Sequence, residues 1–232
     1  MYHYLEEGID KLRSRLIKMG TIVEEQIASA FKALFDGDAE LAKIIIGRDE
    51  KIDKYELKIE KQCQRIIALT QPVALDLRVI LSALSLNRDL ERMGDCAVNI
   101  AKDIEYIKNH KIVLKEIELD KMTEQTALNV KNVLDAFINH DDALALQVIK
   151  SDAVVDRFDE IMTQRIIEKM MDDKELITAG SHTINVIKNI ERLSDHATNI
   201  AEEVVFLIES KVIKHKKDIN GTEENKTDNT VN

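Results

Sequence analysis

Apolar residues recur along most of the chain at the three- and four-residue spacing of an amphipathic helix. The clearest line is isoleucine at every seventh position, two helical turns apart, at Ile45, Ile52, Ile59 and Ile66. The pattern predicts six long helices, at residues 5–35, 39–69, 76–108, 116–138, 143–171 and 174–214. We therefore expect an all-α fold.

Breaks in this pattern coincide with residues that start or stop helices. Gly37 forms a turn before Asp38, which is suited to cap the second helix. Pro72 lacks an N–H group and ends that helix, and Asp76 is expected to cap the third. With only 7 Gly and 1 Pro in 232 residues, the chain has too few turn residues for a β-sandwich or barrel.

An internal repeat divides the chain. The segment at residues 90–101 reads LERMGDCAVNIA, and the segment at residues 190–201 reads IERLSDHATNIA. A second match precedes each segment: Asp49 and Asp53 in the first half correspond to Asp152 and Asp156 in the second. Two copies of a three-helix unit of about 100 residues explain these matches, each expected to form a bundle with its own core. The predicted domains are residues 1–112 and 113–214, followed by a polar tail, residues 215–232, that is expected to be disordered.

Charge and hydropathy narrow the class of protein. The 33 basic and 43 acidic residues give a net charge of −10, which disfavours nucleic acid as a partner and passive adsorption to an anionic membrane. No apolar run approaches the roughly 20 residues that span a bilayer, and no leader segment is evident. We expect a cytoplasmic protein that reaches membranes only through partners, with Cys63 and Cys96 as free thiols.

Acidic residues four positions apart recur in both repeats, although such neighbours repel each other on a helix. These pairs are Asp49 with Asp53, Glu91 with Asp95, Asp152 with Asp156, and Glu191 with Asp195. Further candidate metal ligands near the same faces are Glu56, Asn99, Asp159 and Asn199. If the second and third helices of a unit are antiparallel neighbours, two pairs converge into an oxygen-rich cluster that suits Mg, Mn, Fe or Zn ions.

Two other interpretations of the acidic faces stay open. Acidic residues on the outer face of a helix are usually solvated without any ligand, and descent from a repeat copies a solvated face as well as a site. Arg92 and Arg192 are each adjacent in sequence to a carboxylate and are suited to neutralise it through a salt bridge.

Motifs of common catalytic sites are missing from the sequence. There is no Gly-rich phosphate loop, no recognisable Ser or Cys nucleophile motif, and no Glu-x-x-His signature of di-iron bundles. We therefore expect a non-enzymatic protein. A metal-dependent hydrolase or oxidase that uses the same carboxylates is the alternative.

Several motifs, one of them present in both repeats, carry a family resemblance. They are Met19-Gly20 with Val23-Glu24, Gln71-Pro72 with Asp76-Leu77-Arg78, and the Glu-Arg-x-x-Asp segments at 91–95 and 191–195. Over residues 5–213 the chain resembles the PhoU family of bacterial phosphate-signalling accessory proteins.

The resemblance implies a six-helix protein of two similar three-helix bundles, with metal held by the paired carboxylates. It also implies a negative regulator that contacts a phosphate ABC transporter and a sensor histidine kinase when phosphate is plentiful, and that is commonly a dimer. A relative serving a different phosphate permease is a further alternative.

Overall fold

Long helices account for nearly all of the region that the structure covers. The computed structural model describes residues 2–72 and 74–209, apart from the side chains of residues 2, 3, 74, 75 and 209. Its α-helices are α1 (Tyr2–Asp36), α2 (Ala39–Thr70), α3 (Ala74–Ile107), α4 (Ile112–Glu116), α5 (Leu119–Asn139), α6 (Asp142–Asp172) and α7 (Ile177–Glu209). The all-α prediction of six long helices is confirmed, with α4 as a short addition.

The helix boundaries follow local chemistry. Asp38 caps α2 by accepting hydrogen bonds from the backbone N–H groups of Glu40 and Leu41, at 3.1 and 2.9 Å. Asp141 caps α6 in the same way through Leu144, at 2.9 Å. Gly37 takes a φ of +66° in the turn before Asp38, a conformation that glycine adopts without steric cost.

Three predicted boundaries need correction. Asp76 lies inside the first turn of α3 and does not cap it, although a carboxylate there still complements the helix dipole. The helix predicted at 116–138 begins later, at Leu119, because Glu118 adopts a φ of +62° between α4 and α5. A 3-10 turn at Lys174–Leu176 precedes α7. Residues 210–214 and the tail predicted at 215–232 lie outside the described region.

The helices pack as two bundles that meet along one seam. Helices α1, α2 and α3 contact one another, as do α5, α6 and α7, and α3 packs along α7 between the two groups. Contacts of α3 Asp89 with α7 His196, and of α3 Asp103 with α7 His182, show that the two helices are antiparallel. The domain boundary between residues 112 and 113 stays a prediction.

One continuous core serves both bundles. The isoleucine line of α2 is fully buried, and so is a stripe of α3 formed by Leu86, Leu90, Met93, Ala97, Ile100, Ile104 and Ile107. Buried residues of both bundles form a single hydrophobic cluster, so the expectation of separate cores was wrong. The reason is that α3 packs against α1 and α2 of its own bundle and also against α7, and α7 packs against α5 and α6 and also against α3. Among the described residues, no helix is long and apolar enough to cross a membrane.

Candidate functional site

Three aspartates of the second repeat converge at the α6–α7 contact. Asp152 and Asp156 stand one turn apart on α6, and Asp195 faces them from α7. One oxygen atom from each lies within 4.8 Å of the other two. Within the part of the chain that the structure describes, this is the one group of three potential ligands so close together. Asp152 is half-buried, whereas Asp156 and Asp195 are open to solvent.

A buried amide supports this group from inside the bundle. Asn129 of α5 is only 1% exposed and donates a hydrogen bond to the Ser194 hydroxyl at 3.2 Å. That hydroxyl donates to Oδ1 of Asp152 at 3.1 Å. Ser151 and Gln125 donate to the amide oxygen of Asn129. Asp152 is thus held in place by a polar network that joins all three helices of the bundle.

Asp159 and Glu191 lie beside the group without joining it. Asp159 is buried and pairs with Nζ of Lys188 at 2.6 Å. Burial raises the pKa of Glu191, and the charges of Asp195, Asp159 and Asp156 raise it further, while Lys188 opposes them. Burial in the α6–α7 face, and then the neighbouring carboxylates, therefore make Glu191 hold its proton more tightly.

The first repeat builds a similar support with a different residue. Gln26 of α1, itself buried, donates through Nε2 to Oδ1 of Asp49 at 3.3 Å and to the carbonyl of Gly94 at 3.4 Å. A Cβ atom at position 94 would lie 2.8 Å from Cδ1 of Ile52. A larger side chain at position 94 would therefore clash with α2. The close approach of α3 to α2 explains why a glycine stands in the middle of this helix.

Carboxylates of the first repeat repel one another across α2 and α3. Burial raises the pKa of Asp49, and Asp53 and Asp95 add to the shift. Burial and Asp95 raise the pKa of Glu91 to about 7. Burial raises the pKa of Glu56 as well, with Glu60 and Asp53 adding to it.

Arginine partly neutralises this face. Nη1 of Arg92 lies 3.0 Å from Asp95 Oδ2, and its Nε lies 3.4 Å from Glu91 Oε2. The salt-bridge interpretation therefore holds at Arg92. Among the described residues, no three carboxylate oxygens of the first repeat lie as close together as those of the second.

The two asparagines named as further ligands point along the seam between the repeats. Asn99 donates to Oδ1 of Asn189 on α7 at 3.4 Å, and Asn199 donates to Oδ1 of Asp89 on α3 at 3.4 Å. His196 also contacts Asp89, at 3.0 Å. The structure thus places these side chains in the α3–α7 interface rather than with the convergent carboxylates.

Sequence reasoning missed the supporting amides. Gln26 and Asn129 occupy matching positions, 103 residues apart, which is the same offset that relates Asp49 to Asp152. This match could have indicated a shared role for the two residues, because both have side-chain amides that donate hydrogen bonds to residues distant in sequence. Nothing in the local pattern shows where such a side chain points.

Both cysteines are free, as predicted, and both are buried. Burial raises the pKa of Cys63 to about 11 and that of Cys96 to about 12. A thiol in such surroundings is almost wholly protonated near neutral pH and is a poor nucleophile. The cysteines therefore serve packing in the core.

Comparison with known proteins agrees with this architecture. The sequence profile of the PhoU domain matches residues 16–104 and again residues 119–204. The chain belongs to the PhoU family. The two separate PhoU matches confirm the internal repeat.

Named relatives are similar over most of their length. One is the phosphate-specific transport system accessory protein PhoU homolog of Zymomonas mobilis, 37% identical over 201 residues, which cover 87% of this chain and 85% of that protein. The homolog of the same name in Pseudomonas aeruginosa is 35% identical over 208 residues, covering 89% and 86%.

Solved PhoU structures share the fold. The crystal structure of PhoU from Pseudomonas aeruginosa superposes with a TM-score of 0.82 at 33% identity, covering 89% of this chain and 99% of that one. The phosphate transport system regulatory protein PhoU from Streptococcus pneumoniae gives the same TM-score at 29% identity, covering 90% and 99%.

Proposed function

We propose that this chain is a non-enzymatic regulator of phosphate uptake and phosphate-starvation signalling. It acts by contact with the ATPase subunit of a phosphate ABC transporter and with a phosphate-sensing histidine kinase, and restrains both when phosphate is plentiful. Membership of the PhoU family supports this role, and so do relatives named as accessory and regulatory proteins of phosphate transport. We also propose that the protein is cytoplasmic, works as a homodimer and reaches the membrane only through its partners.

The observation that carries the proposal is the convergence of Asp152, Asp156 and Asp195 at the surface, backed by a buried amide. A solvated face without a role needs no such internal support. The equivalent face of the first repeat has the same kind of support, from Gln26. The chain thus presents two related acidic surfaces to a partner, one in each repeat.

We further propose that these surfaces hold cations of Mg, Mn, Fe or Zn. The residues present fit such an ion, because three carboxylate oxygens within 4.8 Å form an oxygen-rich set of ligands. In the first repeat burial raises the pKa of Asp49 and Glu91, and the neighbouring Asp53 and Asp95 add to these shifts, a repulsion that a bound cation would offset. The proposed ligands are Asp152, Asp156, Glu191 and Asp195, with Asp49, Asp53, Glu91 and Asp95 in the first repeat.

A bound cation supplies positive charge that offsets the repulsion and stiffens the docking surface. The acidic side chains are held in position by the hydrogen bonds from Asn129 through Ser194 to Asp152, and from Gln26 to Asp49. In this proposal the metal is structural, and partner affinity depends on it.

The test uses the full chain, purified without a chelator and without a His tag. The double variant Asp156→Asn/Asp195→Asn removes two exposed ligands. The matched control, Glu160→Gln/Glu168→Gln, removes two exposed charges of α6 outside the group. Metal content is measured by elemental analysis, and affinity for the ATPase subunit and the kinase by biolayer interferometry.

We expect the double variant to lose bound metal and to bind its partners about tenfold or more weakly, while the control keeps both properties. If the variant loses its metal but binds both partners with unchanged affinity, the metal does not contribute to partner binding. Absence of binding to either partner by the metal-loaded protein would overturn the regulatory role.

A further inference from the structure

A groove of about 510 Å³ between α1 and the C-terminal half of α2 gathers five basic side chains. They are Lys11, Arg15, Lys58, Lys61 and Arg65. The chain as a whole carries a net charge of −10, so this concentration runs against its overall charge. Clefts lined by one sign of charge focus the field and attract ligands of the opposite sign.

Helix geometry arranges these cations in a row. Lys58, Lys61 and Arg65 lie on one face of α2, at spacings of three and four residues, over about 10 Å of helix length. Lys11 and Arg15 are one turn apart on α1. Arg15 donates to the backbone carbonyl of Lys58 at 3.1 Å, which fixes one end of the row.

Few acidic groups neutralise the row. Glu7 also lines the groove, and it pairs with Lys11 at 2.5 Å. Among the described residues, neither Lys61 nor Arg65 has a carboxylate within ion-pair distance. The uncompensated positive charge is therefore available to an anionic ligand.

The floor of the groove is built by a close helix contact. A Cβ at Gly8 would lie 3.1 Å from Cγ1 of Ile66, so glycine lets α1 and α2 approach there. Gln62 donates to the carbonyl of Gly8 at 2.7 Å, which fixes its amide. Its Oε1 atom is buried and has no donor among the described residues, and so offers an acceptor to a ligand hydroxyl.

The second repeat lacks this feature. At the offset of 103 residues, the five cations correspond to Leu114, Glu118, Ile161, Gln164 and Glu168. There, Glu118 pairs with Arg165 and with Lys121. The basic row is therefore a property of the first repeat alone and not a consequence of the shared bundle architecture.

We propose that this groove binds a linear oligophosphate of about three or more phosphate groups, free or as the tail of a nucleotide. A row of about 10 Å exceeds the size of a single phosphate. Guanidinium and ammonium groups are the donors that bind phosphate oxygens best. The site is separate from the acidic faces, and the inference is independent of the metal proposal.

Isothermal titration calorimetry of the full chain tests the proposal with tripolyphosphate, ATP and orthophosphate at physiological ionic strength. The variant Lys61→Gln/Arg65→Gln removes two cations of the groove. The control Lys43→Gln/Lys54→Gln removes two exposed cations of the same helix that pair with Glu40 and Glu50 elsewhere. The titrations are repeated in Asp156→Asn/Asp195→Asn, so that chelation of a metal on the acidic face is distinguished from binding in the groove.

We expect tripolyphosphate or ATP to bind at least about tenfold more tightly than orthophosphate, and the groove variant to weaken this by about tenfold or more. The control and the acidic-face variant keep the affinity. Equal affinity for tripolyphosphate and ATP indicates recognition of the phosphate chain, and a preference for either identifies the source. Equal loss in the control, no binding of either probe, or equal binding of a polyglutamate peptide would overturn the proposal.

Discussion

His182 of α7 places its Nδ1 atom 2.6 Å from Oδ1 of Asp103 on α3, so a hydrogen bond ties the two repeats together. The ring of Tyr106 stacks on the same imidazole, with centroids 3.9 Å apart. Burial raises the pKa of Asp103, and the contact with His182 works against that shift. The pair is thus a polar link in the seam between the two bundles.

Replacing Asp103 tests how much this link contributes. We expect Asp103→Ala to lower the free energy of unfolding by about 2 kcal/mol, because it leaves a partly buried histidine nitrogen without its partner. Urea unfolding followed by circular dichroism measures the change. Glu105→Ala, on the same helix but exposed and paired with Lys108, is the control. Equal stability of the two variants would show that the link contributes nothing.

The ion pair of Lys188 with Asp159 gives a second prediction. Asp159 has a side chain only 11% exposed, whereas that of Lys188 is 49% exposed. Lys188→Gln leaves a buried carboxylate without its cation, and we expect a loss of about 2 kcal/mol in unfolding free energy at neutral pH. Urea unfolding followed by circular dichroism measures the loss.

Arg88→Gln is the matched control for that variant. Arg88 is exposed and occupies the equivalent position in the first repeat, 100 residues earlier. We expect its replacement to change stability little. Equal losses in Lys188→Gln and Arg88→Gln would show that the ion pair with Asp159 contributes nothing.

Glu91 gives a pH-dependent prediction for metal-free protein. Its pKa is raised from 4.5 to about 7, chiefly by burial and then by Asp95. Between these values the folded state binds more protons than the unfolded chain, so the free energy of unfolding falls as pH rises through this range. With a chelator present, Glu91→Gln should stabilise the protein by about 1 kcal/mol near pH 8, because solvent screens part of the shift.

The gain should vanish in acid, where Glu91 is protonated in both states. Glu50→Gln is the control, because Lys54 lowers the pKa of that exposed carboxyl and no gain at high pH is expected. Thermal unfolding across the pH range measures both variants. A stabilisation by Glu91→Gln that is the same at acid and alkaline pH would disprove the role of its charge.

The buried cysteines predict slow thiol chemistry. With pKa values of about 11 and about 12, Cys63 and Cys96 should react with Ellman's reagent at least about a hundredfold more slowly in native protein than in urea. The absorbance of the released thiolate measures both rates. Fast reaction of either thiol in the native state would contradict its burial.

Helices, their caps and their buried stripes followed from the sequence, because each depends on residues within a few turns. The line from Ile45 to Ile66 and the cap at Asp38 are of this kind. The later start of helix α5, at Leu119, did not follow, since Ile117 and Leu119 are both buried in the core and Glu118 between them takes a positive φ. Periodicity alone does not show such a bend.

The acidic pairs were also evident from the sequence, because residues four apart share a helix face. Which of them converge was decided by the packing of separate helices. Asp195 joins Asp152 and Asp156, while in the first repeat Arg92 bridges Glu91 and Asp95. Two faces with nearly the same local pattern thus differ in their geometry.

The sequence by itself determined the all-α class, the repeat, the apolar faces and the residues that bear carboxylates. The tertiary structure alone decided that the two bundles share a core, that Asp103 and Asp89 meet histidines of α7, and that Gln26 and Asn129 stand behind the acidic faces. Local periodicity fixes the direction of a side chain relative to its own helix. The identity of its neighbour depends on how distant helices approach, which is set by the packing of the whole core.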